Sequence, residues 1–140
     1  MILYLDTSSI VKLYIEEAGT DAVRRWAGEA EVLATCRIAY PELISALNRR
    51  LRGGDISRKE FRILIDGFSK EWTDFAIIDF DEIEAGRLSE KYGLRGFDAI
   101  HLSALKLLKD RDNHISLAFS SFDKELNRAA ASDGFTVLTQ

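Results

Sequence analysis

Four acidic residues, scattered along the chain, have the type and placing to act together: Asp6, Glu42, Asp98 and Asp123. Asp6 closes the apolar run Ile2-Leu3-Tyr4-Leu5. Asp123 follows the run 115–119 through Ser120-Ser121-Phe122. Short apolar runs with polar ends read as buried strands of a parallel sheet. In an open α/β sheet, ligands collect beyond the carboxyl ends of the strands. Glu42 and Asp98 each stand early in a predicted helix that opens on that same edge. Four carboxylates in one pocket repel one another unless protons or a cation intervene. Hard divalent cations take oxygen ligands, and Mg²⁺ commonly uses one or two carboxylates with waters and phosphates. An ion so held can lower the pKa of a water and stabilise charge on a phosphoryl oxygen. The chemistry suggested is a metal-dependent reaction on phosphate.

Each acid also has a plain structural explanation. Asp98 could cap its helix, and Glu42 after Pro41 would favour the positive end of a helix dipole. Ser120 and Asp123 have the spacing of a capping box. Asp6 is the hardest to dismiss, because a charge closing a buried strand costs several kcal/mol unless it is paired. It too could cap the helix that follows. None of the four has an evident basic partner in the sequence. His101 lies one helical turn after Asp98, where packing or hydrogen bonding on the helix is the simpler expectation.

The elements that must position these acids alternate strand and helix. Strands are expected at 2–6, 31–35, 75–80, 115–120 and 135–139. Helices are expected at 8–17, 21–29, from Pro41 to Arg52, from Ser57 through Trp72, and at 82–92, 97–109 and 122–132. Thr20 is read as a helix cap, and Ser57 with Glu60 as a capping box. Pro41 suits a first helical turn, and Gly53-Gly54 ends that helix. Phe61, Leu64, Ile65, Phe68 and Trp72 make one stripe at helical spacing. Its plain reading is core, and its sharper reading is a contact surface for a partner helix or second subunit. Trp26 is likewise expected in the core. The alternation predicts a three-layer α/β/α fold with a mainly parallel five-stranded sheet and right-handed crossovers. No repeat, linker or low-complexity stretch divides residues 1–140, so one domain is expected.

Bulk properties set limits. Apolar and charged fractions of 46% and 30% are ordinary for a globular protein. A lone cysteine, Cys36, excludes an internal disulfide and a thiolate zinc site, and fits a reducing compartment. The first residues lack a basic n-region and reach an acid too soon for a signal peptide, and no apolar stretch approaches a membrane span. A cytoplasmic protein is expected. The net charge of −4 argues against a nucleic-acid coat protein. From Arg37 to Arg62, however, seven basic residues face three acids, and an anionic partner is as good a reading of that cluster as a solvated helix end.

Leu5-Asp6-Thr7-Ser8-Ser9-Ile10, Pro41-Glu42-Leu43, Gly96-Phe97-Asp98-Ala99-Ile100-His101-Leu102 and Phe119-Ser120-Ser121-Phe122-Asp123 together resemble a PIN domain. The likeness is nearest to the VapC-type toxin ribonucleases of toxin–antitoxin pairs, and it spans almost the whole chain. It implies a Mg²⁺-dependent endoribonuclease, with Mn²⁺ as an alternative ion. Asp6 and Asp98 would hold the metal, Asp123 would be a further or indirect ligand, and Glu42 would complete the pocket. Ser121 matches a family Ser/Thr position that more often holds Thr, and Ser8 matches a hydroxyl after the first acid. The resemblance also implies an RNA substrate, products with 5′-phosphate and 3′-hydroxyl ends, a VapB-like antitoxin and a homodimer. Two rival readings remain on the residues alone. One is a phosphatase or phospho-acceptor domain, against which Ser8 stands where a second Asp belongs. The other is a non-catalytic RNA-binding module, against which all four acids are present.

Overall fold

The computed structural model describes residues 1–140. Strand β1 (Ile2–Leu5) is followed by helices α1 (Thr7–Tyr14) and α2 (Thr20–Glu29) and strand β2 (Val32–Cys36). Helices α3 (Ala39–Arg52) and α4 (Arg58–Glu71), a 3₁₀ turn (Trp72–Asp74) and strand β3 (Ala76–Ile78) come next. The chain ends with α5 (Glu82–Tyr92), α6 (Gly96–Arg111), β4 (Leu117–Ser120), α7 (Lys124–Ser132) and β5 (Thr136–Val137). All strand pairs are parallel, in the order β3-β2-β1-β4-β5. The expected three-layer architecture and five-stranded parallel sheet are therefore present.

Alternation along β1 builds two cores, one on each face of the sheet. Leu3 and Leu5 point into the layer of α1 to α4, with Val23, Trp26, Leu43, Leu47, Phe61 and Phe68. Tyr4 points into the layer of α5 to α7, with Cys36, Leu88, Leu102, Leu105, Phe119 and Leu126. The apolar stripe of α4 belongs to the first core: Phe61 and Phe68 are buried, and Leu64, Ile65 and Trp72 pack against it. Register decides what happens at the carboxyl edge. Leu5 of β1 lies beside Ser120 of β4, and the Asp6 amide donates to the Ser120 carbonyl at 3.1 Å. Asp6 and Ser121 thus leave the sheet side by side. The strand order reverses between β1 and β4, so the crevice that favours ligands in such sheets opens there.

Local corrections have local causes. Helix α1 stops at Tyr14, short of residue 17, because Ile15 is extended and Glu17 turns back to bind Lys12. Thr20 opens α2 but does not cap it; its hydroxyl donates to the Ile15 carbonyl and accepts from the Glu17 amide. The cap is Gly19, at φ +91°, where an added Cβ would also lie 2.6 Å from the Phe122 ring. The box expected of Ser57 and Glu60 forms in full, whereas that of Ser120 and Asp123 does not. Asp123 caps α7 itself, accepting from the Leu126 amide at 2.8 Å, while the Ser120 hydroxyl pairs with that of Ser9. Asp98 lies inside the first turn of α6, whose cap is Arg95, so the capping explanation for Asp98 fails. Strand β5 is two residues long rather than five. No helix is long and apolar enough to cross a membrane.

Candidate active site

Asp6, Glu42, Asp98 and Asp123 line one cleft of about 860 Å³ at the reversal of strand order, with Thr7, Ser8, Arg49, Arg95, Phe97 and His101 also on its walls. Asp6 is 3% exposed and sits at the head of α1. Its Oδ1 accepts from the Ser9 amide at 3.0 Å and from the Ser8 hydroxyl at 2.6 Å. Its Oδ2 accepts from the Ser121 hydroxyl at 2.6 Å. Ser8 and Ser121 also accept, from the Phe122 and Asp123 amides respectively, so the turn after β4 is tied to Asp6 by two hydroxyls. Burial raises the Asp6 carboxyl above its usual range, against the pull of His101, Ser121, Ser8 and the Ser9 amide.

Asp98, half-buried on α6, is also raised. Burial is the main cause and the nearby Asp123 charge adds to it, while Arg95 opposes. Arg95, itself 84% exposed, reaches over the cleft mouth to 3.6 Å from Asp98 and 3.5 Å from Asp123. This is the basic partner that sequence reading did not find. Arg95 stands three residues before Asp98 but is the extended residue that precedes α6, so no helix-face spacing pointed to the pair. Glu42 behaves differently. Burial pushes it up, but hydrogen bonds from His101 and Thr7 outweigh that and leave its carboxyl below the usual range.

The four acids share a cleft, yet no three His, Cys, Asp or Glu side chains converge closely enough to form a ready-made ion cage. Each is engaged by a neighbour instead: Asp6 by hydroxyls, Glu42 by His101 and Thr7, and Asp98 and Asp123 by Arg95. The donor set is nevertheless all oxygen, and the raised Asp6 and Asp98 mark anionic charge that the protein leaves under-compensated. That chemistry suits a hard divalent cation.

Residues 3–132 match the family model described as the PIN domain. The chain belongs to the PIN domain family. Among its relatives, Ribonuclease VapC45 of Mycobacterium tuberculosis (strain CDC 1551 / Oshkosh) is 31% identical over 144 residues, covering 97% of this chain and 94% of the relative. Two solved structures share the fold at low identity. Mycobacterium tuberculosis VapC20, described as a sarcin–ricin loop cleaving toxin, superimposes with a TM-score of 0.64 at 16% identity, covering 99% of each chain. VapBC2 from Rickettsia felis, bound to a DNA fragment from its promoter, gives 0.64 at 17% identity, covering 100% of this chain and 99% of the other.

Within this PIN domain the cleft walls carry more than acids. Arg49, from the basic cluster seen in the sequence, and Arg95 give the rim positive charge. Phe97 is 58% exposed and lines the same cleft, and nothing in its helical spacing singled it out. Thr7 was missed as well, since a hydroxyl directly after a strand-end acid looks like an ordinary helix-start residue. His101 is 2% exposed and hydrogen-bonded, as its simpler reading had it, but its bonds run to Glu42 and Tyr4 as well as Thr7.

Proposed function

We propose that this chain is an endoribonuclease, the toxin of a VapBC-type toxin–antitoxin pair, which hydrolyses RNA phosphodiester bonds with Mg²⁺ or Mn²⁺. The observation that carries the reading is the gathering of Asp6, Glu42, Asp98 and Asp123 in one cleft at the sheet's ligand-binding edge, with Asp6 and Asp98 raised. Family membership and the relative named as a ribonuclease support it.

Asp6 and Asp98 would hold the metal, with Asp123 as a further or indirect ligand. Bound there, such an ion lowers the pKa of a water and stabilises charge on the phosphoryl oxygens. Ser121 and Ser8 fix Asp6 and oppose the effect of burial by donating to both of its oxygens. Glu42, held below the usual carboxyl range, is ionised at neutral pH and able to accept a proton from an attacking water. Arg95 spans Asp98 and Asp123 in the absence of substrate and is the cation best placed to swing onto a phosphate. Phe97 offers an exposed ring beside the acids on which an unpaired base can stack. Arg49 and its basic neighbours continue the positive surface along the strand of RNA. A VapB-like antitoxin would shut the cleft by presenting an arginine or an extended segment to the acids, and a homodimer would align two basic segments on one RNA.

The phospho-acceptor alternative is less well supported. Ser8, standing where that chemistry needs a second Asp, is instead committed to Asp6 Oδ1 and the Phe122 amide. The test is cleavage of a panel of structured RNAs by partner-free protein with Mg²⁺. Wild type is expected to give 5′-phosphate and 3′-hydroxyl ends, and D98N none. Inactive wild type across the panel, or equal cleavage by wild type and D98N, would sink the proposal.

A further inference from the structure

A polar chain runs behind the cleft through the interior. Tyr4 Oη lies 2.9 Å from His101 Nδ1. His101 Nε2 lies 2.8 Å from Glu42 Oε1 and 3.2 Å from Thr7 Oγ1. The Thr7 hydroxyl donates to the same Glu42 Oε1 at 2.7 Å. Tyr4 is wholly buried and His101 is 2% exposed, so water does not compete for the bond between them, while Glu42 and Thr7 are partly exposed at the cleft. The chain also crosses between layers. Tyr4 and His101 come from the core under α5 to α7, whereas Glu42 stands on α3, which packs on the other face of the sheet.

The proton positions follow from who has an alternative. A tyrosine phenol carries its proton at neutral pH, and that of Tyr4 is wholly buried. The only side-chain acceptor within reach of that proton is His101 Nδ1. Turned any other way, the O–H would be a buried unpaired donor, which is costly. Nδ1 therefore accepts, and the ring proton sits on Nε2, aimed at Glu42 Oε1. That oxygen receives both Nε2–H and the Thr7 hydroxyl, while Oε2 carries no bond at all. A hydrogen bond at one ring nitrogen fixing what the other can do is the general way a histidine is set for a task.

We infer that His101 is a positioning residue for Glu42 and that Tyr4 selects its tautomer, so that Glu42 meets the cleft with Oε2 free and Oε1 clamped. His101 touches neither the substrate nor the reacting atoms in this arrangement. The kinetic consequence rests on the endoribonuclease reading, but the hydrogen-bond chain itself does not.

Two measurements separate them. In the first, ¹⁵N NMR of the full chain reads the His101 ring. Wild type is expected to hold the Nε2–H tautomer, and Y4F, which removes one oxygen and keeps the ring packing, to shift the Nδ1 resonance and weaken that preference, with Glu42 still accepting from Nε2. An Nδ1–H tautomer in wild type, or a ring signal indifferent to Y4F, overturns the inference whether or not the protein cuts RNA. In the second, cleavage kinetics use whichever RNA of the panel the wild type cuts. H101L is expected to lower kcat about 10–100-fold with KM within about twofold, Y4F to lower kcat about fivefold, and H101Q, which retains an N–H donor, to recover part of the loss. A residue that merely fills space would show no rescue by Gln and no effect of Y4F. Should H101L fail to fold, Y4F and H101Q carry the test. Active wild type with unchanged kcat in Y4F and H101Q overturns the inference and leaves the nuclease reading intact; inactive wild type overturns the nuclease reading and leaves the NMR result to judge the chain of bonds.

Discussion

At the scale of single residues, the same acid type behaves in opposite ways according to its donors. Asp98 is raised by burial and then by Asp123, and Arg95, exposed and 3.6 Å away, is the main offset, with His101 a lesser one. Neutralising it relieves repulsion at little cost in hydrogen bonds. D98N is expected to abolish cleavage and to stabilise the metal-free protein by about 0.5–1 kcal/mol, read from urea melts with a chelator present; a loss of stability would count against crowding of these charges. Asp6 should not follow, although repulsion alone predicts the same gain for both. Its two oxygens accept three bonds in the buried cap of α1. An Asn amide would turn an N–H toward a hydroxyl that is already donating, so D6N is expected to be neutral or destabilising while also inactive. Removing the hydroxyl instead tests the tie directly. S121A strands Asp6 Oδ2 and the Asp123 amide, and is expected to cost about 1–3 kcal/mol in the same melts. The acids themselves were legible as strand-end residues because an unpaired charge after an apolar run needs a reason. Arg95 and Thr7 were not, because their partners lie on other elements or at a short spacing with an innocent explanation.

At the scale of elements, the local signals that succeeded were those closed within a few residues. Ser57 and Glu60 bond each other's amides at 3.1 Å, and that geometry needs nothing beyond the first turn of α4. S57A is accordingly expected to lower stability by about 1 kcal/mol and to leave cleavage unchanged, as thermal melts and an RNA assay would show. The signals that failed were those overridden from a distance. Thr20 gave up the cap to reach the Ile15 carbonyl, and Ser120 gave up its box for Ser9 of α1. Gly19 took the capping position, where its left-handed backbone and the closeness of Phe122 admit no side chain. The α4 stripe illustrates a limit of periodicity: the spacing identifies an apolar face but not what covers it, and here the sheet's first core does.

At the scale of the whole molecule, charge couples stability to pH and to metal. Asp6 and Asp98 have raised folded values, so their contribution to stability is complete below the unfolded carboxyl range and is lost as pH rises through their folded values. Glu42, Glu17, Asp133 and Glu84, the last lowered to about 2, act in the other direction: their contribution is present above the unfolded range and fades as pH falls. Metal-free protein is therefore expected to be most stable in mild acid rather than at neutral pH, and D98N to flatten the neutral-side decline; melts across pH with a chelator present check both. Mg²⁺ at about a hundred times its Kd should add about 2.7 kcal/mol at neutral pH, and D98N should lose that increment. The sequence by itself determined the alternation of strands and helices, the two-sided burial of β1, and which acids close strands or open helices. Each of those rests on side-chain periodicity and short-range backbone chemistry, which a linear chain carries in full. Only the tertiary structure decided that Leu5 lies beside Ser120, that Arg95 bridges two acids, and that Tyr4, His101 and Glu42 join across the edge of the sheet. Those depend on register and on helices from opposite layers meeting, and no local pattern encodes a distance between residues 97 positions apart.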